Sequence, residues 1–235
     1  MLLEETLTEG FAQLGITPPG GALAGYRAYY EHLEKMNAVM NLTAISGEEN
    51  VARLHFLDCA ALLSMADFAG KRVIDVGTGA GFPGLALKIA CPDMNLTLLD
   101  SLDKRIGFLR ECCAMLGFED TECIHARAEE APAEFRGGFD IATSRAVARL
   151  NLLCELCLPM VKPGGLFIAM KGPDCEEELH EAGRAIKLLG GELDSVRKYR
   201  VPGTDATHSA VLIRKIADTP KKYPRRWAQI KKQPL

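Results

Sequence analysis

At 235 residues, 48% of them hydrophobic, the chain supports one domain with an N-terminal extension rather than two full domains. No run reaches the ~18 apolar residues of a membrane span, and the acidic start Met1-Leu2-Leu3-Glu4-Glu5 is unlike a secretory signal. The expectation is therefore a cytoplasmic protein with no membrane partner, its eight cysteines reduced packing residues.

The net charge of −3 is unevenly spread. From Arg214 onward there are eight Lys/Arg and one Asp, a local +7 that leaves −10 on the rest. A basic tail on an acidic body suits phosphates. The divisions expected are a helical extension over 1–66, a core over 67–217 and a basic tail over 218–235.

In chain order, residues 2–15 and 25–40 read as helices, separated by the break Thr17-Pro18-Pro19-Gly20-Gly21. Tyr26, Tyr29, Tyr30 and Leu33 recur at helical spacing in the second, a packing face in preference to a base-stacking one. Asn41-Leu42-Thr43-Ala44-Ile45 reads as a loop. His55 and Asp58 then share a face of a further helical segment. A local capping pair and a pair overhanging a pocket are both compatible with that spacing.

The stretch Val73-Ile74-Asp75-Val76-Gly77-Thr78-Gly79-Ala80-Gly81-Phe82-Pro83-Gly84 organises the rest. A β-branched apolar run predicts a buried parallel strand. Glycines at alternate positions allow close backbone approach, and Pro83 marks the first turn of a helix whose free N–H groups face the ligand. The hexapeptide from Gly79 formally satisfies the dinucleotide pattern G-x-G-x-x-G. Asp75, two residues before the first glycine, would repel a pyrophosphate and attract an ammonium or sulfonium. Asp100, ending the strand Leu96-Thr97-Leu98-Leu99-Asp100, suits both ribose hydroxyls. S-adenosylmethionine is thus the expected ligand, with Asp75, Gly77, Gly79, Gly81 and Asp100 as its site.

Beyond the corner, helices over 83–91, 103–117, 149–160 and 174–189 alternate with strands near 96–100, 121–126, 139–143 and 166–170. Ala128-Glu129-Glu130-Ala131 opens a short helix, and Lys162-Pro163-Gly164-Gly165 reads as a turn. Strands over 192–201 and 208–216 are joined by Pro202-Gly203-Thr204-Asp205, too short for a helical crossover, so they should pair antiparallel. The fold class expected is α/β: a Rossmann-like class I S-adenosylmethionine-dependent methyltransferase, its seven-stranded sheet mostly parallel with an antiparallel last strand, plus N-terminal helices. Cys154-x-x-Cys157 stands without a second pair or nearby histidines, so no metal site is expected.

Taken in order, Asn41-Leu42-Thr43-Ala44-Ile45, His55-Phe56-Leu57-Asp58, the glycine corner, Leu98-Leu99-Asp100-Ser101, Ser144-Arg145-Ala146, Lys171-Gly172 and Thr219-Pro220-Lys221-Lys222-Tyr223-Pro224-Arg225-Arg226 resemble the bacterial ribosomal RNA small-subunit methyltransferase G (GidB) family. The resemblance runs from about residue 25 to the end. Cys59 departs from the family's serine, and Trp227-Ala228-Gln229-Ile230 from a more Gly/Pro-like stretch. The resemblance implies methyl transfer to N7 of one guanine of 16S rRNA, nucleotide 527 in the usual rRNA numbering. It also implies that Gly77 and Phe82 line the cofactor, that Ala128 and Glu129 border its adenine, and that Arg145 sits at the cofactor pocket on the substrate side.

Guanine N7 carries a lone pair and no proton, so the reaction needs no general base. Arg145 and Lys171, each just past a strand's carboxyl end, are the leading candidates for catalysis, Arg145 toward the guanine O6 edge or a flanking phosphate. Asn41 and Asp58 are candidates for holding the base edge, with loop and helix capping as the alternative for both. Lys221, Lys222, Arg225 and Arg226 would bind the rRNA, or a small-subunit precursor, with Tyr223 and Trp227 stacking on bases. A monomer is expected. A small-molecule methyltransferase and a dinucleotide-binding protein are the rival readings.

Overall fold

The structure, a computed structural model, describes residues 2–145 and 148–235; Met1, and Ala146 of the Ser144-Arg145-Ala146 motif, lie outside the described residues. The apolar runs form β1 (Arg72–Val76), β2 (Asn95–Asp100), β3 (Glu122–His125), β4 (Phe139–Arg145), β5 (Val161–Lys171), β6 (Gly191–Arg200) and β7 (Thr207–Lys215). They pair into one sheet of order β3-β2-β1-β4-β5-β7-β6. β1 to β5 are parallel, and β7 enters antiparallel between β5 and β6. The short Pro-Gly link forces that reversal, as the sequence predicts.

Alternate strand residues serve opposite faces of the sheet. Val73, Leu98, Ile168 and Leu212 join the core under α1 (Leu2–Leu14), α2 (Ala22–Met40), α5 (Gly84–Ala90) and α6 (Asp103–Leu116). Ile74, Leu99, Phe167 and Val211 join the core under α7 (Leu150–Cys157), α8 (Glu176–Leu188) and α9 (Trp227–Lys232). Between α2 and β1 the chain winds through α3 (Glu48–Val51), a π-helical stretch Ala52–Leu57, α4 (Asp58–Ala60) and a 3₁₀ turn Ala61–Ser64. Wide π turns occur often at functional sites, and this one carries His55.

One expectation is corrected. Lys162-Pro163-Gly164-Gly165 does not end one element before another begins. β5 already starts at Val161, and these residues bulge between the pairs Phe139↔Val161 and Ile141↔Leu166. Gly165 fits because a Cβ there would lie 2.6 Å from the Asp140 carbonyl oxygen. The basic tail is fastened to the core. Arg136 donates to the carbonyls of Thr219, Pro220 and Tyr223. Tyr223 and Ile230 are buried.

Candidate active site

The strand order reverses between β1 and β4, the place where an open α/β sheet forms its ligand crevice. A cleft of about 500 Å³ opens there, walled by Gly77 to Ala80, Asp100, Ala126 to Glu129, Leu156 and Trp227. A second cleft of about 700 Å³ lies beside it, walled by Leu54, Asp58, Met170, Lys171, Glu178 and His208. His55 and Arg145 line both. Phe82 completes the partition: its ring stacks on His55 at 4.2 Å, with the Arg145 guanidinium 4.9 Å from its centroid.

The partition is held by hydrogen bonds whose direction is set by chemistry. Arg145 can only donate, and it does so to His55 Nδ1 (2.7 Å), Asp58 Oδ2 (3.3 Å) and the Leu54 carbonyl (3.2 Å). His55 Nδ1 is therefore an acceptor, and its proton sits on Nε2, donated to Thr43 Oγ1 at 2.8 Å. Burial and the Arg145 charge push the His55 imidazole down to about 3, so the ring is neutral. Asp58 Oδ1 accepts from Tyr199 Oη (2.8 Å) and His208 Nδ1 (2.7 Å). The hydrogen bond to Asp58 raises the His208 imidazole above its ordinary value.

Of the residues expected at the cofactor, Gly77, Gly79, Phe82, Asp100, Ala128, Glu129 and Arg145 line the first cleft. Asp75 and Gly81 lie beneath it. Asp75 is fully buried, Oδ2 accepting the Gly84 N–H and Oδ1 the Thr143 hydroxyl, both near 3 Å. It anchors the start of α5 instead of facing a cation. Burial pushes its carboxyl up to about 6, opposed by those hydrogen bonds. Gly81, at φ +102°, lets the Tyr29 hydroxyl pass: a Cβ would come within 2.5 Å of it. Tyr29 donates to the Ala80 carbonyl and Tyr26 to that of Ala86, so the aromatic stripe is a packing face that also braces the glycine loop. Asp100 accepts from the Gly79 and Leu102 N–H groups at 2.9 Å.

Among the substrate-side candidates, Asp58 and Lys171 line the second cleft. Lys171 Nζ is held by Glu178 and the Ala148 carbonyl, both at 2.7 Å. Asn41 is exposed and ends α2 in the left-handed region (φ 50°), while its neighbours Leu42 and Thr43 reach the first cleft. Its helix-capping alternative is the one seen. In the tail, Lys221, Lys222 and Arg226 are exposed. Arg225 instead clamps the fully buried Glu155 with its backbone N–H, Nε and a terminal guanidinium nitrogen, at 2.6–2.9 Å. Tyr223 is buried as well.

No local sequence pattern marks His208, Tyr199, Thr43 or Glu178 as site residues. Only topology points to His208: because β7 runs against β5, with Lys171 opposite Ser209, its first residues lie at the sheet's ligand-binding edge.

The doubly wound sheet with one antiparallel strand, and a glycine corner at its switch point, make this a Rossmann-like class I methyltransferase fold. A mutant of the 16S rRNA (adenine(1408)-N(1))-methyltransferase from Catenulisporales acidiphilia shares that fold at TM-score 0.54 and 17% identity, over 65% of this chain and 88% of that one. A family model described as rRNA small subunit methyltransferase G matches residues 23–206. The ribosomal RNA small subunit methyltransferase G of Clostridium botulinum (strain Loch Maree / Type A3) is 46% identical over 211 residues, 88% of each chain. That of Alkaliphilus oremlandii (strain OhILAs) is 45% identical over 238 residues, 100% of each. The chain belongs to the rRNA small subunit methyltransferase G family.

Proposed function

We propose that the protein transfers the methyl group of S-adenosylmethionine to N7 of one guanine of 16S rRNA, nucleotide 527 in the usual rRNA numbering. The observation that carries this reading is the state of the partition between the clefts. His55 is neutral with both ring nitrogens engaged, and Asp58 is met by Arg145, Tyr199 and His208. Every titratable group there is committed to a neighbour. Such a junction suits a nucleophile with no proton to lose, as guanine N7 is.

The first cleft fits the nucleoside. Oε1 of Glu129 is buried with no hydrogen-bond partner among the described residues, 4.0 Å from Arg127. It can accept from a ribose hydroxyl or an adenine amino group. Asp100 keeps a second acceptor site on Oδ1, which takes the Leu102 N–H, while Oδ2 takes the Gly79 N–H and meets the Arg105 guanidinium at 3.5 Å. Gly77 and Gly79 let the backbone approach, with open space where a Cβ at Gly79 would stand. When bound, S-adenosylmethionine supplies an electrophilic methyl on a sulfonium.

The second cleft has room for an unstacked purine nucleotide. The N7 lone pair forms the new bond to carbon as the S–CH3 bond breaks. The bonding electrons stay on sulfur, and the positive charge passes to the guanine imidazole ring; no proton moves. The protein's work is alignment and charge balance across the partition. Arg145, held from three sides, fixes Phe82 and His55 between donor and base, and Asp58 offsets its charge. Lys171 and the exposed Lys221, Lys222 and Arg226 are proposed contacts for rRNA phosphates.

The test is labelled-methyl transfer to 16S rRNA, and to small subunits, from cells lacking this gene, with the product nucleoside identified by mass. A single 7-methylguanosine at the proposed nucleotide is expected. Label on another atom, or on neither substrate, overturns the reading.

A further inference from the structure

The C-terminal segment reaches the first cleft, and the way it is fastened determines what it does there. Arg136 holds the carbonyls of Thr219, Pro220 and Tyr223, and Tyr223 is buried against the core. Arg225 then grips Glu155 on α7 by main chain and side chain. The next residue of α7, Leu156, lines the first cleft; so does Trp227, two residues beyond Arg225. α7 touches both α9 and the turn Ala128–Glu130, and Ile230 of α9 is fully buried. The indole thus lines the first cleft together with Leu156, Ala128 and Glu129, on the side where α7 meets both segments. That is the end of the cleft fed by β3, three strands from β4 and its Arg145.

We propose that Trp227 is a wall of the nucleoside site: its indole closes the end of the cleft that receives the adenine, and the C-terminal segment is part of cofactor binding. This rests on the reading of the first cleft as an S-adenosyl site. A large, rigid aromatic surface beside a buried acceptor matches a flat heteroaromatic base with an amino group at its edge. The Arg225–Glu155 clamp explains why a basic tail is strapped down instead of left to the solvent: it holds Trp227 in register with Glu129.

Trp227 is the chain's one tryptophan, so the ligand can be followed at the residue in question. Titration of the wild-type protein with S-adenosylhomocysteine should change tryptophan emission saturably, with a midpoint matching the Kd from calorimetry. Trp227→Ala should weaken calorimetric binding about tenfold, while Trp227→Phe, which keeps an aromatic wall, should stay within about threefold of wild type. A Trp227→Ala protein binding as tightly as wild type, or unchanged emission while calorimetry reports binding, overturns the proposal and leaves the S-adenosyl reading intact. No calorimetric binding to wild type overturns both. The emission experiment uses the native chain, so it decides the matter even where the alanine variant fails to fold.

Discussion

Arg145 shows how one residue organises a site from its donors alone. A guanidinium cannot accept, so its bond to His55 Nδ1 dictates the tautomer, and the tautomer dictates the bond to Thr43. Asp58 answers Arg145 with one oxygen and gathers Tyr199 and His208 on the other. The pair His208–Asp58 has a measurable signature. Its hydrogen bond raises the folded His208 imidazole above the ordinary value, so folding favours the protonated ring. That contribution is fully present below the unfolded imidazole pKa of ~6.5 and is lost as pH rises through the higher folded value. His208→Asn keeps a donor near the Nδ1 position without the charge. The Tm difference between wild type and this variant should be largest near pH 6 and should shrink steadily above it. A difference independent of pH over that range would mean that the charged ring contributes nothing.

At the scale of elements, the glycine corner separates two demands that the sequence presents as one pattern. Gly79 faces the cleft with nothing within 4 Å of a notional Cβ, so alanine there meets only the strain of φ +61°, about 1 kcal/mol. Gly81 combines φ +102° with a contact of 2.5 Å to the Tyr29 hydroxyl. Gly81→Ala should therefore be destabilised by about 3 kcal/mol or more in denaturant titrations. Gly79→Ala should unfold nearly as wild type yet bind S-adenosylhomocysteine more weakly. Equal stability losses would show that Tyr29 yields readily. The strand, the turn and the helix start were legible because each has a local signature: β-branched residues, alternate glycines, a proline. That Asp75 ties down Gly84 and Thr143 was not. Thr143 is on β4, across the switch point, and a carboxylate beside glycines looks alike in sequence whether it faces a ligand or the floor beneath it. His55 and Asp58 were legible as sharing a face, but Arg145, Tyr199 and His208, which give the pair its role, come from three distant strands.

For the whole molecule, charge composition predicts a basic arm and packing divides it. Tyr223 and Ile230 meet the core, and Arg225 meets Glu155, a partner 70 residues back that no local pattern connects to it. The RNA contacts proposed on this segment, Lys221, Lys222 and Arg226, are all exposed. The two kinds of basic residue should separate experimentally. Each phosphate contact contributes about 0.7 to the slope of log K against log salt for single-stranded nucleic acid. Replacing Lys221, Lys222 and Arg226 together with alanine should thus lower that slope by about 2 while leaving Tm close to wild type. Arg225→Ala strands a buried carboxylate, which costs about 3–5 kcal/mol, and so should act first on Tm. A salt slope unchanged in the triple variant would move the RNA surface off the tail altogether, toward the rim of the second cleft, where Arg149 is exposed and Lys171 lies in the wall.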